Sequence, residues 1–142
     1  MKKTLKLALS LLVAIALTLT VASCGNTKPP EGLWSSAVYT ENTELGEGEK
    51  TISVEFSVDD KLITFTVHTD ADTVGEALLE NGLISGEEGA YGLYVKVVNG
   101  ITADYDIDQS YWSFYIGGEY AMTGVDMTEI DESAVYRLEY TK

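Results

Sequence analysis

Thr51-Ile-Ser-Val-Glu-Phe-Ser-Val58 decides the fold, because polar and apolar residues alternate at every position. Ile52, Val54, Phe56 and Val58 fall on one face, the pattern of a half-buried strand. Asp59-Asp60 supplies turn chemistry. Alternation then resumes in Lys61-Leu-Ile-Thr-Phe-Thr-Val-His-Thr69, with Ile63, Phe65 and Val67 inward. The two segments read as an antiparallel hairpin.

Moving toward the C-terminus, the period changes. Thr73 and Glu76 stand at capping-box spacing, Val74, Ala77 and Leu78 follow helical spacing, and Gly82 sits where a left-handed residue ends a helix. A helix this short needs a sheet to pack on. Three more strands follow, at 92–98, 111–116 and 134–141, with Asn99-Gly100 and Gly117-Gly118 as turns. The order predicts an α+β domain over residues 51–142. Its architecture is a β-grasp-like mixed sheet with one short helix packed on one face.

Moving toward the N-terminus, Leu33 to Tyr39 is a candidate edge strand, and the acidic stretch Glu41 to Glu49 reads as loop. Residues 24–50 are therefore expected to be a tether and acidic linker, with both prolines near its start. Residues 1–23 read as a lipoprotein signal peptide. Lys2, Lys3 and Lys6 form a basic head, and an apolar stretch runs from Leu7 to Val21. That stretch is short for a spanning helix. Val21-Ala-Ser-Cys24 matches the aliphatic-small-small-cysteine pattern of a lipobox, and Cys24 is the sole cysteine. Lipidation at Cys24 would anchor the chain to the cell membrane on its extracytoplasmic side.

Composition excludes several functions. The 142 residues carry 9 basic and 23 acidic side chains, so clustered phosphate contacts of a nucleic-acid binder are not expected. One cysteine and one histidine exclude an intramolecular disulfide, a Cys-rich metal site and a His pair. Hydrophobic residues make up 45% of the chain, enough to bury a core.

Four segments carry a resemblance. They are Thr73-Val-Gly-Glu-Ala-Leu-Leu79, Tyr91 to Ile101, Tyr111 to Gly118 and Thr123-Gly-Val-Asp126. Together they resemble the transcobalamin-like C-terminal domain, a bacterial domain of unknown function often found in surface lipoproteins. That domain is similar to the small β-domain of the vitamin B12 carriers transcobalamin and intrinsic factor. The resemblance implies a β-grasp fold and a corrinoid, such as cobalamin, as candidate ligand. It implies contacts from near Tyr91, Gly92, Leu93 and Tyr94, and from near Tyr111, Trp112 and Phe114. The carriers' large helical domain has no counterpart in this sequence, so a partner would supply the other half of such a site.

The residues themselves offer further candidates. If the aliphatic-rich sets face the helix, the open sheet face shows Tyr94, Lys96, Tyr111 and Tyr115, rings able to stack on a flat ligand. The same rings also serve plain cross-strand packing. Asp104, Asp106 and Asp108 alternate as in a calcium loop, but Gln109 stands where glycine is required and Tyr115 where glutamate is. His68 reads as a surface residue on its strand. No catalytic set emerges: no Gly-x-Ser-x-Gly elbow exists, and no carboxylate pair is singled out. The expected function is a non-catalytic small-ligand-binding module. The alternative is a protein–protein interaction or adhesion domain at the cell surface.

Overall fold

A computed structural model describes residues 28–142. The segments read above as signal peptide and lipobox, with Cys24, lie outside the described residues.

The central hairpin forms where alternation requires it. β2 (Lys50–Val58) pairs antiparallel with β3 (Lys61–Thr69), in a register that sets Val54 opposite Phe65 and Phe56 opposite Ile63. Every apolar residue of the alternating sets is buried, from Ile52 to Val67. Burying one such side chain contributes about 1.5–3 kcal/mol. The last strand, β9 (Val135–Thr141), pairs parallel with β2 and adds Tyr136 and Leu138 to the same face.

Three more strands complete this sheet. β1 (Thr43–Gly46) runs parallel to β3 at one edge. β7 (Tyr111–Ile116) pairs antiparallel with β9, and β8 (Glu119–Tyr120) closes the other edge. The result is a mixed six-stranded sheet in the order β1-β3-β2-β9-β7-β8. β4 (Ile84–Gly89), β5 (Gly92–Val98) and β6 (Ile101–Thr102) form a separate three-stranded sheet.

α1 (Val74–Glu80) starts and stops for the reasons its sequence gives. The Thr73 hydroxyl accepts from the Glu76 amide, while Glu76 reaches back to the Thr73 amide. At the other end Gly82 has φ +65°, and the Leu83 and Gly82 amides bond to the Leu78 and Leu79 carbonyls. That double bond pattern is the Schellman termination. Val74, Ala77 and Leu78 are buried in the same core as the hairpin.

Two readings of the N-terminal part need correction. Residues 32–36 form a 3₁₀ turn and not an edge strand, and Trp34 is buried against Phe56 with ring centroids 5.3 Å apart. The segment expected to be loop contains β1, and partly buried Leu45 packs on the core. The folded layer thus reaches back to Trp34, well before residue 51. A further correction concerns the sheet itself. The strand at 92–98 does not join the strand at 111–116 in one sheet, because its hydrogen-bond partners are β4 and β6. The fold is a mixed, strand-dominated one with few helices, and the second sheet shares with α1 the task of covering the core.

The opposite face of the six-stranded sheet is open and polar. Thr64, Glu55, Arg137, Tyr115 and Tyr120 form one row across five strands. Arg137 Nε donates to Glu55 Oε2 at 2.7 Å. Such a half-exposed pair contributes about 0–1 kcal/mol. His68 lies on this face, its ring nitrogens 2.6 Å from Glu44 Oε1 and 3.0 Å from Thr51 Oγ1.

Candidate ligand-binding groove

α2 (Tyr105–Asp108) organises the site. The Asp104 carboxylate caps it by accepting from the Asp106 amide at 3.0 Å. Its C-cap, Gln109, takes a left-handed conformation with φ 64°. The Asp-x-Asp spacing that suggested a calcium loop is the sequence mark of this cap.

The three carboxylates diverge. Asp104 lies 3.6 Å from Lys96 Nζ, and Asp108 binds the Ser110 hydroxyl and, at 3.1 Å, Lys142. Among the described residues, no three His, Cys, Asp or Glu side chains converge as a metal site. The Ser110 hydroxyl, then Lys142 and the Ser110 amide, hold the Asp108 carboxyl down at about 2. A carboxyl depressed on folding stabilises the fold above its unfolded value and loses that contribution as pH falls through its folded value. Stability from Asp108 is therefore expected to be full above about pH 4 and to vanish as pH drops through about 2. Ser110→Ala should shift the Asp108 titration upward, as read by carboxyl NMR. An unmoved titration would contradict this assignment.

Asp106 carries no ion pair among the described residues. It joins Tyr94, Tyr105 and Tyr111 in lining an open groove of about 490 Å³. Tyr94 is 41% exposed and Tyr105 56%. Lys96, two residues from Tyr94, is held above the usual ammonium value chiefly by its hydrogen bond to Glu87, with Asp104 adding to it. The Trp112 indole donates to the Lys96 carbonyl at 3.2 Å, which fixes β5 against β7 beside the groove.

The other candidate residues are dispersed. Trp112 and Phe114, expected to touch ligand, are each 8% exposed and belong to the core. Alternation along β7 turns them toward Phe56 and Tyr136, with ring centroids at 5.3 and 6.2 Å. Tyr115 lies on the open sheet face, edge-on to Tyr120 at 5.5 Å, and does not line the groove. The shared open face of Tyr94, Lys96, Tyr111 and Tyr115 therefore does not exist as one sheet surface. Leu93 is half-buried against the core. Tyr91 stands at the hairpin tip, 98% exposed. Gly92 has φ +102°, and a Cβ there would meet Asp126 Oδ2 at 2.5 Å. That same oxygen accepts from the Leu93 amide at 3.0 Å, which ties the β4–β5 hairpin to the 3₁₀ turn Val125–Met127. Tyr105 was missed from the sequence as a site residue, and Asp106 was named only for calcium, although the cap at Asp104 could have placed both on one helical turn.

The model of a domain of unknown function, DUF4430, matches residues 71–142, half of the chain. The chain belongs to the DUF4430 family. A solved structure from Ruminococcus gnavus ATCC 29149, named as a candidate metal-binding protein, is 35% identical with a TM-score of 0.61. That match covers 66% of this chain and 98% of the other. Haptocorrin, solved in complex with Cbi, matches with a TM-score of 0.52 at 20% identity. The haptocorrin match covers 66% of this chain but 25% of haptocorrin, so the likeness is one of fold to a minor part of that protein. No curated protein matches the chain. The DUF4430 domain thus shares its mixed-sheet fold with a small part of haptocorrin.

Proposed function

We propose that this chain is a non-catalytic binding module that takes a small, flat ligand in the tyrosine groove, with a corrinoid as the leading candidate. The observation that carries the reading is the convergence of Tyr94, Tyr105 and Tyr111 from three separate elements on one open groove of about 490 Å³. That volume falls within the range of small-molecule sites. Tyrosine rings bury large apolar area while keeping a wet hydroxyl. The haptocorrin likeness supports the corrinoid, and the core location of Trp112 and Phe114 narrows its contacts to the tyrosines. In this reading the fold is a β-grasp, since β2 and β9 run parallel at the centre and α1 follows the first hairpin. Cys24 carries the lipid that holds the module on the extracytoplasmic side of the cell membrane.

Absorbance titration with cobinamide and cobalamin tests the ligand. A saturable spectral change is expected, weakened in Tyr94→Ala and Tyr111→Ala. Unchanged spectra at high micromolar ligand would remove the corrinoid. Cys24→Ser is expected to release the protein from the membrane fraction, and retention would refute the lipid anchor.

A second reading, a protein-interaction domain without a small ligand, draws on a different surface. Tyr91, Met122 and Met127 are 98%, 94% and 67% exposed. Exposed methionine and tyrosine suit an adaptable protein contact. The candidate metal-binding name of the Ruminococcus relative finds no matching cluster among the described residues.

A further inference from the structure

Cations are scarce in this domain, and each has an internal partner. The described residues contain six basic side chains against 23 acidic ones. Lys28, Lys50, Lys96, Arg137 and Lys142 each pair with a carboxylate, and Lys61 Nζ lies 4.2 Å over the Trp34 ring. Most of the acid excess is therefore uncompensated, and such a field draws cations toward the surface.

At the tyrosine groove this imbalance becomes specific. Glu87 stands directly opposite Tyr94 in the β4–β5 ladder, and its carboxylate takes Lys96 Nζ at 3.2 Å. Asp104 takes the same ammonium at 3.6 Å, and Asp108 takes Lys142 at 3.1 Å. The lysines beside the groove are thus already engaged. Asp106, which lines the groove together with three phenol rings, carries no ion pair among the described residues. A phenol ring attracts a cation to its face. An entering anion would meet the Asp106 carboxylate with no free lysine to offset it. The groove is open, so an occupant keeps one side in water. A compact, strongly hydrated ammonium gains least from rings in that setting, while a weakly hydrated cation with spread charge gains most.

We propose that the tyrosine groove selects flat organic cations, with Asp106 as the counter-charge and the rings of Tyr94, Tyr105 and Tyr111 as the stacking surface. The proposal rests on the ligand-binding reading of this groove and names the charge of the ligand, which that reading leaves open.

Three matched compounds test it: 1-methylquinolinium, 4-methylquinoline as a neutral counterpart of the same size, and quinoline-4-carboxylate as the anion. Each is titrated into the full chain in non-ionic detergent at neutral pH. The ring NMR signals of Tyr94, Tyr105 and Tyr111 are followed against the measured free concentration. The cation is expected to bind about tenfold more tightly than the neutral compound, and the anion more weakly than either. Asp106 is exposed, so Asp106→Asn removes its charge without touching the core. That variant should cut the preference to about threefold. Tyr105→Leu keeps an apolar side chain, loses the ring, and should also cut it. Glu47 is exposed just before the Lys50 end of β2, whereas Tyr111 sits beside Thr141, past the Ser57–Glu139 pair at the other end. Glu47→Gln removes the same charge there and should leave the preference unchanged. Neutral compound bound as tightly as the cation, a preference that survives Asp106→Asn, or one that falls equally in Glu47→Gln would each overturn the proposal and leave the groove a ligand site. Ring signals that none of the three compounds moves would overturn the ligand-binding reading as well.

Discussion

Phe56→Ala is expected to destabilise the domain by about 3–5 kcal/mol. Phe56 is 1% exposed and joins three other rings: Trp34 and Trp112 at 5.3 Å and Phe65 at 6.3 Å. Removing it opens a cavity bounded by the entry turn, the hairpin and β7, elements that cannot collapse together without breaking strand register. Domains of this size hold about 5–15 kcal/mol in total, so one substitution consumes a large share. Urea denaturation measures it: the midpoint should fall with little change in slope. A loss below about 1 kcal/mol, the range of ordinary substitutions, would mean that the rings do not form one packed unit.

Gly92→Ala should act on the site through the hairpin. Its φ of +102° suits glycine, and the added Cβ would stand 2.5 Å from Asp126 Oδ2. A left-handed alanine costs about 1–2 kcal/mol. The carboxylate must also swing away, leaving the Leu93 amide without its acceptor, at about 1–3 kcal/mol if that group stays buried. The two costs share one cause, so Gly92→Ala and Asp126→Ala are expected to be less than additive in combination. Hydrogen exchange at Leu93 is the readout: it should accelerate in either single variant, and ligand binding should weaken because Tyr94 lies on the displaced strand. Unchanged exchange at Leu93 would show that Asp126 does not hold the hairpin.

Much of the fold was legible because short-range rules govern it. The alternation of 51–58 and 61–69 specifies a face and a register, and the Thr73–Glu76 box with Gly82 specifies both ends of α1. What escaped was non-local. Gly92–Val98 reads as a strand, but its own residues do not say that its neighbours are β4 and β6. β1 was missed because Thr-Glu-Leu-Gly has one apolar residue and owes its order to pairing with β3. The site suffered most from this. Tyr94 and Tyr111 were named from the sequence and do meet, but across two sheets and through α2, whose residues contribute Tyr105 and Asp106. Trp112 and Phe114 were drawn toward the ligand by family resemblance, while their place in the alternation of β7 had already turned them inward.

The parallel pairing of β2 with β9 has a consequence for biogenesis. Glu55 and Arg137, 82 residues apart, meet at the middle of the sheet. Loop closure on that scale must precede the contacts that reward it. A ribosome-bound chain lacking Val135–Thr141 would hold the first hairpin with one long side unpaired and its apolar face only partly covered. Such a chain stays pliant until Val135–Thr141 is made and docks beside β2.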